Sequence, residues 1–192
     1  IHGLTNSQFD DGKASWPVYE TAAKLDVPIY LHPGMPHHEV RNIYYKDYTE
    51  EFALFPQAAW GYTVETATMA IRLVLSRVFE TIPNLKIILG HLGETLPFLL
   101  WRVNHNLKRP GNAPIEFREV FCNNFYVTTS GNFSDPALLC CMQELGVDRI
   151  LFAIDWPFID NKLGTDWFEK LAISKEDKIK ILSGNSSRIF KL

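Results

Sequence analysis

Residues 85–91 read LKIILGH, a mostly apolar run that ends on a glycine and His91. Two other stretches have the same layout, VPIYLH at 27–32 and RILFAID at 149–155. Short apolar runs bounded by turn residues are typical of strands that are buried on both faces, as in a parallel sheet. The carboxyl ends of parallel strands share one edge, and α/β proteins place their active sites there. We therefore expect His32, His91 and Asp155 to lie at a functional edge.

Helical patterns separate these strands. Apolar residues at helical spacing predict helices over residues 16–26, 63–82, 96–107 and 135–146, and two short helices in the tail. Asp135 is the expected N-cap of its helix. Residues 125–130 read FYVTTS and predict a further strand, because β-branched and aromatic residues dominate them. Residues 33–57 are predicted to form a long loop, either functional or at an interface.

This alternation of helices and strands predicts an α/β protein with parallel strands and right-handed crossovers. Four parallel strands can form an open doubly wound sheet or half of an eight-stranded barrel, and the pattern leaves both open. No glycine-rich phosphate loop follows any of the strands, which argues against a nucleotide-binding sheet.

Composition indicates an ordinary globular protein. The 192 residues are 46% hydrophobic and 21% charged, which suits a single domain over residues 1–192. The net charge of −3 gives no electrostatic case for binding nucleic acid or an anionic membrane. The cysteines Cys122, Cys140 and Cys141 lack metal-ligand spacing, and we read the compartment as reducing and cytoplasmic.

His32 and Asp155 are candidate metal ligands. A neutral imidazole at a strand end suits a metal such as zinc, although a histidine hydrogen-bonded to its loop is the plainer interpretation. A buried aspartate needs a strong partner, because burying an unpaired charge is costly. That partner is either a metal ion or, more simply, an arginine or a helix N-terminus.

His91 and Glu94 are candidates for acid/base chemistry. If the turn after the strand starts a helix, the two side chains lie three residues apart on one face. A carboxylate on the imidazole would fix its tautomer and raise its basicity, as a general acid/base requires. Alternatively, Glu94 is a charge near a helix start, where the dipole favours it.

Other polar and aromatic residues leave two interpretations open. Arg102 is a surface charge or an anion clamp. Trp156 and Phe158 form the wall of an apolar pocket or simply pack in the core. Residues 130–132, Ser-Gly-Asn, bind a ligand or form a turn.

Four of these motifs together carry a resemblance. They are VPIYLHP at 27–33, GHLGE at 90–94, DWPF at 155–158 and GNSSRIF at 184–190. In this order they resemble the amidohydrolase superfamily. More narrowly, they resemble the amidohydrolase-related decarboxylases that act on γ-resorcylate, 2,3-dihydroxybenzoate, 5-carboxyvanillate and aminocarboxymuconate semialdehyde. The similarity covers nearly the whole chain.

The resemblance implies a (β/α)₈ TIM barrel, of which this chain would be strands five to eight. It implies that His32 and Asp155 bind the metal. It also implies that His91, with Glu94 as partner, and Asp155 are catalytic. The ligand pair that the family carries on strand one has no counterpart here, so we expect a fragment of a larger enzyme, set against ~250 residues for a typical complete barrel.

The resemblance also assigns substrate contacts and a reaction. Arg102 would reach the substrate carboxylate of a neighbouring subunit in a homodimer or homotetramer, and Phe158 would line the ring pocket. The implied function is metal-dependent, non-oxidative decarboxylation of an aromatic or muconate-like carboxylic acid, a small molecule, with Zn²⁺ favoured and Mn²⁺ as the alternative. Two other hypotheses are hydrolysis of a lactone or amide, and a fragment inactive for lack of strand-one ligands.

Overall fold

The computed structural model describes all residues from Ile1 to Leu192. It is an α/β protein in which the chain divides into two compact units, Ile1–Leu85 and Lys86–Leu192. The single domain over residues 1–192 stays a prediction. No helix in either unit is long and apolar enough to cross a membrane.

The first unit contains one strand and five helices. They are α1 (Trp16–Leu25), β1 (Ile29–Leu31), α2 (His38–Tyr44), α3 (Lys46–Thr49), α4 (Gly61–Leu75) and α5 (Val78–Thr81). The predicted helix over 16–26 is confirmed as α1, with Pro17 in its first turn and Asp26 as a left-handed C-cap at φ 54°. The N-terminal residues run parallel to β1, because the His32 N–H donates to the Ile1 carbonyl at 2.8 Å.

Two predictions for the first unit were wrong in detail. Residues 33–57 are not one loop, since α2 and α3 lie within them and Tyr45, which is buried, packs edge-on against Phe55 at 5.0 Å. The predicted helix 63–82 is two helices, α4 and α5. It breaks where the Ser76 hydroxyl bonds the Leu73 carbonyl at 2.8 Å and Arg77 turns left-handed at φ 67°.

The second unit is built on three short parallel strands. They are β2 (Ile87–Leu89), β3 (Phe125–Thr128) and β4 (Ile150–Leu151), with β3 in the middle. The register places Ile88 opposite Tyr126 and Val127 opposite Ile150. Every residue of these strands is buried, which explains why their sequences do not alternate between apolar and polar residues.

The helices of the second unit cover the strands. They are α6 (Leu96–Asn106), α7 (Phe117–Asn124), α8 (Asp135–Leu145), α9 (Asn161–Lys170), α10 (Lys175–Ile179) and α11 (Asn185–Phe190), with a π-helical turn at Lys180–Gly184. The helices predicted over 96–107 and 135–146 are confirmed as α6 and α8. The N-cap of α8 is Ser134 and not Asp135, whose carboxylate accepts a hydrogen bond from the Trp167 indole at 2.7 Å.

The helix α7 was not predicted, and the tail contains more helical segments than were predicted. Phe117 and Phe121 in α7 are fully buried and stack in series with Phe125 at ring distances of 6.0 and 4.7 Å. The tail holds α9, α10, the π-helical turn and α11, where two short helices were predicted. The Ser174 side chain does cap α10, accepting a hydrogen bond from the Asp177 N–H at 3.0 Å, as its sequence indicates.

Asn185 ties the tail to the end of β4. Its side chain is 1% exposed, and its amide donates to the carbonyls of Val147 at 2.9 Å and Ile150 at 2.7 Å. Its own carbonyl accepts from Arg188 at 3.1 Å. The buried amide thus adds hydrogen bonds to backbone carbonyls at the start of β4 and in the turn before it.

We predict that Asn185→Ala lowers the free energy of unfolding by about 2 kcal/mol, because it removes one hydrogen bond to each of two backbone carbonyls and the contact with Arg188. Urea denaturation followed by circular dichroism measures this change. The control is Asn161→Ala at the exposed start of α9, which should change stability by less than about 0.5 kcal/mol. Equal effects of the two variants would contradict this account of Asn185.

Candidate active site

The turn after β2 has an unusual backbone. All five residues from His91 to Thr95 have positive φ angles, between 51° and 82°. A left-handed conformation costs roughly 1–2 kcal/mol for each residue that is not glycine, and only Gly93 escapes that cost. The sequence suggested that this turn begins a helix. It does not, and α6 starts only at Leu96. Backbone strain of this kind is concentrated at functional sites.

Neighbouring elements hold this turn in place. The Leu92 N–H donates to the Thr128 carbonyl at 2.8 Å, and the Cys141 thiol donates to the Leu92 carbonyl at 3.3 Å. A Cβ at Gly93 would lie 2.9 Å from the side chains of Pro97 and Val127, so the glycine allows close packing as well as its positive φ. These contacts offset part of the conformational cost.

The left-handed turn brings His91 and Glu94 together. The Nδ1 atom of His91 lies 2.6 Å from Oε1 of Glu94, whose side chain is fully buried. A carboxylate can only accept, so Nδ1 carries a proton and donates it to Glu94. The contact predicted from the sequence is present, although a left-handed turn produces it and a helix does not.

The other ring nitrogen of His91 faces Asp155. Its Nε2 atom lies 3.9 Å from Oδ2 of Asp155. Burial lowers the pKa of His91, but the hydrogen bond and charge of Glu94, with the charge of Asp155, raise it, and the net direction is upward. The two carboxylates thus favour an imidazolium that is able to give up a proton.

Asp155 follows β4 in a tight turn. Its φ is 83°, and its carbonyl accepts hydrogen bonds from the N–H groups of Phe158 at 2.9 Å and Ile159 at 3.1 Å. Its side chain is 25% exposed, so it is less buried than the sequence suggested. The polar partner that the structure gives this carboxylate is His91.

Residues 130–132 contact the same pair, and the sequence analysis did not foresee this role. The Ser130 hydroxyl accepts from the His91 N–H at 3.4 Å, and the Asn132 amide donates to the His91 carbonyl at 3.3 Å. A Cβ on Gly131 would lie 2.9 Å from Cδ2 of His91 and 3.2 Å from Oδ2 of Asp155. Their only signal in the sequence was a run of hydroxyl residues and glycine directly after a strand.

His32 lies at the end of β1 in the first unit. Its Nδ1 atom is 2.8 Å from the Pro33 carbonyl, which can only accept, so Nδ1 is protonated. The loop contact expected in the plainer interpretation is therefore present. It also leaves the lone pair on Nε2 available, which is the tautomer that a metal ligand requires. The two interpretations of His32 are compatible.

Glu65 on α4 was not among the residues predicted from the sequence. It is 8% exposed, and its Oε1 atom has no hydrogen-bond partner. It lines a cavity of about 10 Å³ together with His32 and Thr66, a volume close to the ~10–15 Å³ that one water needs. Burial raises the pKa of Glu65. The available signal was a glutamate four residues before Met69, on the buried face of α4.

Three further candidates lie at the surface. Arg102 is exposed on α6, and Trp156 and Phe158 are 71% and 79% exposed after β4. Neither aromatic packs in the core, so the plainer interpretation of both was wrong. Substrate binding by Arg102 and Phe158 stays a prediction.

The donor atoms of this chain have suitable chemistry for a divalent metal. A carboxylate such as that of Asp155 and the free Nε2 of a histidine such as His32 are ligands of zinc and manganese. No group of three or more histidine, cysteine or acidic side chains in the structure could hold a metal ion. The chain therefore offers single candidate ligands, His32 in the first unit and Asp155 in the second.

Comparison with known proteins agrees with this geometry. The amidohydrolase family model matches residues 1–192. The γ-resorcylate decarboxylase of Polaromonas sp. strain JS666 is 43% identical over 182 residues, which are 92% of this chain and 54% of that protein. The chain thus spans about half the length of the curated relatives that it matches.

Solved structures give the same result. A dihydroxybenzoic acid decarboxylase from Polaromonas sp. JS666, with bound manganese and the inhibitor 2-nitroresorcinol, has a TM-score of 0.88 at 42% identity and covers 96% of this chain and 56% of its own. The 5-carboxyvanillate decarboxylase of Sphingomonas paucimobilis has a TM-score of 0.90 at 34% identity and covers 100% of this chain and 57% of its own. With a family model matching its full length, this chain belongs to the amidohydrolase family.

Proposed function

We propose that this protein takes part in metal-dependent, non-oxidative decarboxylation of an ortho-hydroxylated aromatic acid such as 2,6-dihydroxybenzoate. The observation that carries the proposal is His91, held between the buried Glu94 and the accessible Asp155 where β2 and β4 end. The relatives support the substrate class, since four γ-resorcylate decarboxylases are between 39% and 43% identical to this chain. A substrate of the muconate type is less well supported, at 26% identity.

Asp155 and His32 are the residues that we assign to the metal. A bound divalent ion would act as a Lewis acid towards the substrate's carboxylate and neighbouring hydroxyl oxygens and would orient them. Two related decarboxylases have been solved with manganese, so Mn²⁺ is the first ion to test. The preference for Zn²⁺ that we inferred from the sequence stays a prediction.

The reaction exchanges a carboxylate for a proton. The bond between the ring carbon and the carboxylate breaks, carbon dioxide leaves, and a new C–H bond forms at the same carbon. The proton comes from the pair formed by His91 and Asp155. Glu94 keeps Nδ1 protonated at 2.6 Å, so a second proton on the ring lies on Nε2, which faces Asp155.

Phe158 and Arg102 are assigned to the substrate's ring and carboxylate. Phe158 is 79% exposed, so its face is available to a ligand. Arg102 lies on the solvent side of α6, as a contact with a substrate in another subunit would require. A homodimer or homotetramer and a cytoplasmic location stay predictions of the sequence.

The direct test is an assay of the protein with 2,6-dihydroxybenzoate in the presence of Mn²⁺ or Zn²⁺. We expect resorcinol and carbon dioxide in equal amounts, measured by liquid chromatography and by a coupled carbon dioxide assay. Benzoate, which lacks the ortho hydroxyls, should not react. Hydrolysis of a lactone panel without carbon dioxide release would instead favour the hydrolase hypothesis.

Removal of the metal should abolish the activity. After dialysis against a chelator we expect a loss of about 100-fold or more, restored by Mn²⁺ or Zn²⁺. Asp155→Asn should lose comparable activity and bind Mn²⁺ more weakly in calorimetry, because it removes a charged ligand. Asp166→Asn is the matched control, since this exposed carboxylate only pairs with Lys162. Full activity of the chelated protein would contradict metal dependence.

Replacing Glu94 should change the protonation of His91. In metal-free protein we expect Glu94→Gln to lower the pKa of His91, because the amide keeps the hydrogen bond but removes the charge that favours the imidazolium. Titration of the ring signals by NMR measures this. The alkaline limb of the pH–rate profile should move to lower pH in the same direction.

Glu119→Gln on the exposed side of α7 serves as the control for this titration. It removes the same charge at a distant position and should leave the pKa of His91 unchanged. If Glu94→Gln also left that pKa unchanged, Glu94 would not be the group that sets the protonation of His91.

A further inference from the structure

The residues that follow β3 lie between the two strand ends that carry the acid/base pair. In the second unit, β3 pairs with β2 on one side and with β4 on the other. The chain then continues through Thr128 to Asn132 before α8 begins. We call residues 128–132 the spacer segment.

One set of contacts joins the spacer segment to the His91 side. The Thr128 carbonyl accepts from the Leu92 N–H at 2.8 Å, and the Ser130 hydroxyl accepts from the His91 N–H at 3.4 Å. The Asn132 amide donates to the His91 carbonyl at 3.3 Å. All three contacts are made with the turn that follows β2.

The intervening residues bind the Asp155 side. Thr129, which is fully buried, donates its backbone N–H to the Leu151 carbonyl at 3.1 Å. Its hydroxyl donates to the Ala153 carbonyl at 2.7 Å and accepts from the Ala153 N–H at 3.0 Å. The Gly131 N–H donates to the Ile154 carbonyl at 3.2 Å. Thr129 and Gly131 therefore hold the chain that leads from β4 into Asp155.

The Thr129 hydroxyl supplies hydrogen bonds that the strand ladder no longer supplies. The strand β4 ends at Leu151, so Ala153 lies beyond the ladder. A single hydroxyl satisfies both polar groups of Ala153, which would otherwise lack these partners at half-buried positions. Asp155 follows two residues later in the chain.

Gly131 leaves open the space beside the two functional side chains. A Cβ there would lie 3.2 Å from Nε2 of His91 and 3.2 Å from Oδ2 of Asp155, atoms that are themselves 3.9 Å apart. The spacer segment thus bonds each strand end through alternate residues, and its glycine leaves room for both side chains of the pair.

We propose that the spacer segment sets the separation between His91 and Asp155, and that Thr129 and Asn132 are positioning residues for the pair. The expected change in rate rests on the proposed decarboxylation. The expected change in the distance between His91 and Asp155 does not depend on it. A displacement of about 1 Å in a catalytic group is enough to cost on the order of 100-fold in rate.

The test uses Thr129→Val, which keeps the shape of the side chain and removes its hydroxyl. We expect kcat to fall about 10-fold or more with KM changed less than about 3-fold, because the substrate contacts remain while the proton-carrying pair is displaced. Thr129→Ser retains the hydroxyl and should return kcat to within about 3-fold of the wild-type value. Crystal structures of the metal-free variants should show the distance from Nε2 of His91 to Oδ2 of Asp155 altered by about 0.5 Å or more in the valine variant only.

Two further variants separate positioning from general stability. Ile150→Val shortens a fully buried side chain of β4 without touching the Thr129 contacts, and should lower the melting temperature while kcat stays near wild type. Asn132→Ala removes the contact on the other side and should change the same distance and kcat. It decides the question if the Thr129→Val protein does not fold.

If Thr129→Val and Asn132→Ala keep both the distance and kcat of the wild type, the spacer role is overturned. If kcat falls only as far as in an equally destabilised Ile150→Val protein, Thr129 is structural and nothing more. If the wild-type protein does not decarboxylate 2,6-dihydroxybenzoate but the distance changes as expected, the proposed function fails and the spacer role stands.

Discussion

The hydrogen bond between His91 and Glu94 is the interaction on which the site depends. It is 2.6 Å long, and it joins an imidazole to a carboxylate whose side chain has no exposed surface. A buried carboxylate is costly unless it is paired and hydrogen-bonded, so this contact is needed for stability as well as for chemistry. To form it, the chain adopts five successive positive φ angles. The hydrogen bond that the Leu92 N–H donates to Thr128 and the one that the Leu92 carbonyl accepts from Cys141 are part of the same requirement, because a strained turn persists only where its surroundings fix it.

The central strand β3 connects this requirement to the rest of the second unit. Because β3 has a parallel neighbour on each side, the backbone hydrogen-bonding groups of its successive residues point to β2 and β4 in turn. The contacts of the residues after Thr128 still alternate between the two sides. The three strands have only three, four and two residues, yet all of them are buried. Short strands are sufficient since the hydroxyl and amide side chains of Thr129, Ser130 and Asn132 take over the hydrogen bonding where the ladder stops.

The features that could be predicted from the sequence are those that depend on residues close together in the chain. The strands and most helices follow from apolar runs and helical spacing, and the contact of His91 with Glu94 follows from their separation in the sequence. The left-handed turn did not, because its φ angles are imposed by contacts with β3 and α8 that no local pattern records. For the same reason the residues after β3 were ambiguous, since a serine, a glycine and an asparagine are equally suited to a turn. The burial of Glu65 and the helices in residues 33–57 likewise depend on packing in the first unit.

The two carboxylates beside His91 differ in their access to solvent and in their distance from the ring. The Glu94 side chain is fully buried and bonded to Nδ1, so it is not accessible to a ligand. The Asp155 side chain is one-quarter exposed and stands 3.9 Å from Nε2, too far for a hydrogen bond in the resting geometry. Glu94 therefore fixes the tautomer and charge of the imidazole, whereas Asp155 is the group that is able to exchange a proton or a ligand. Because Glu94 holds the proton on Nδ1, the ring nitrogen of His91 that is free to exchange a proton is Nε2, on the side where Asp155 lies.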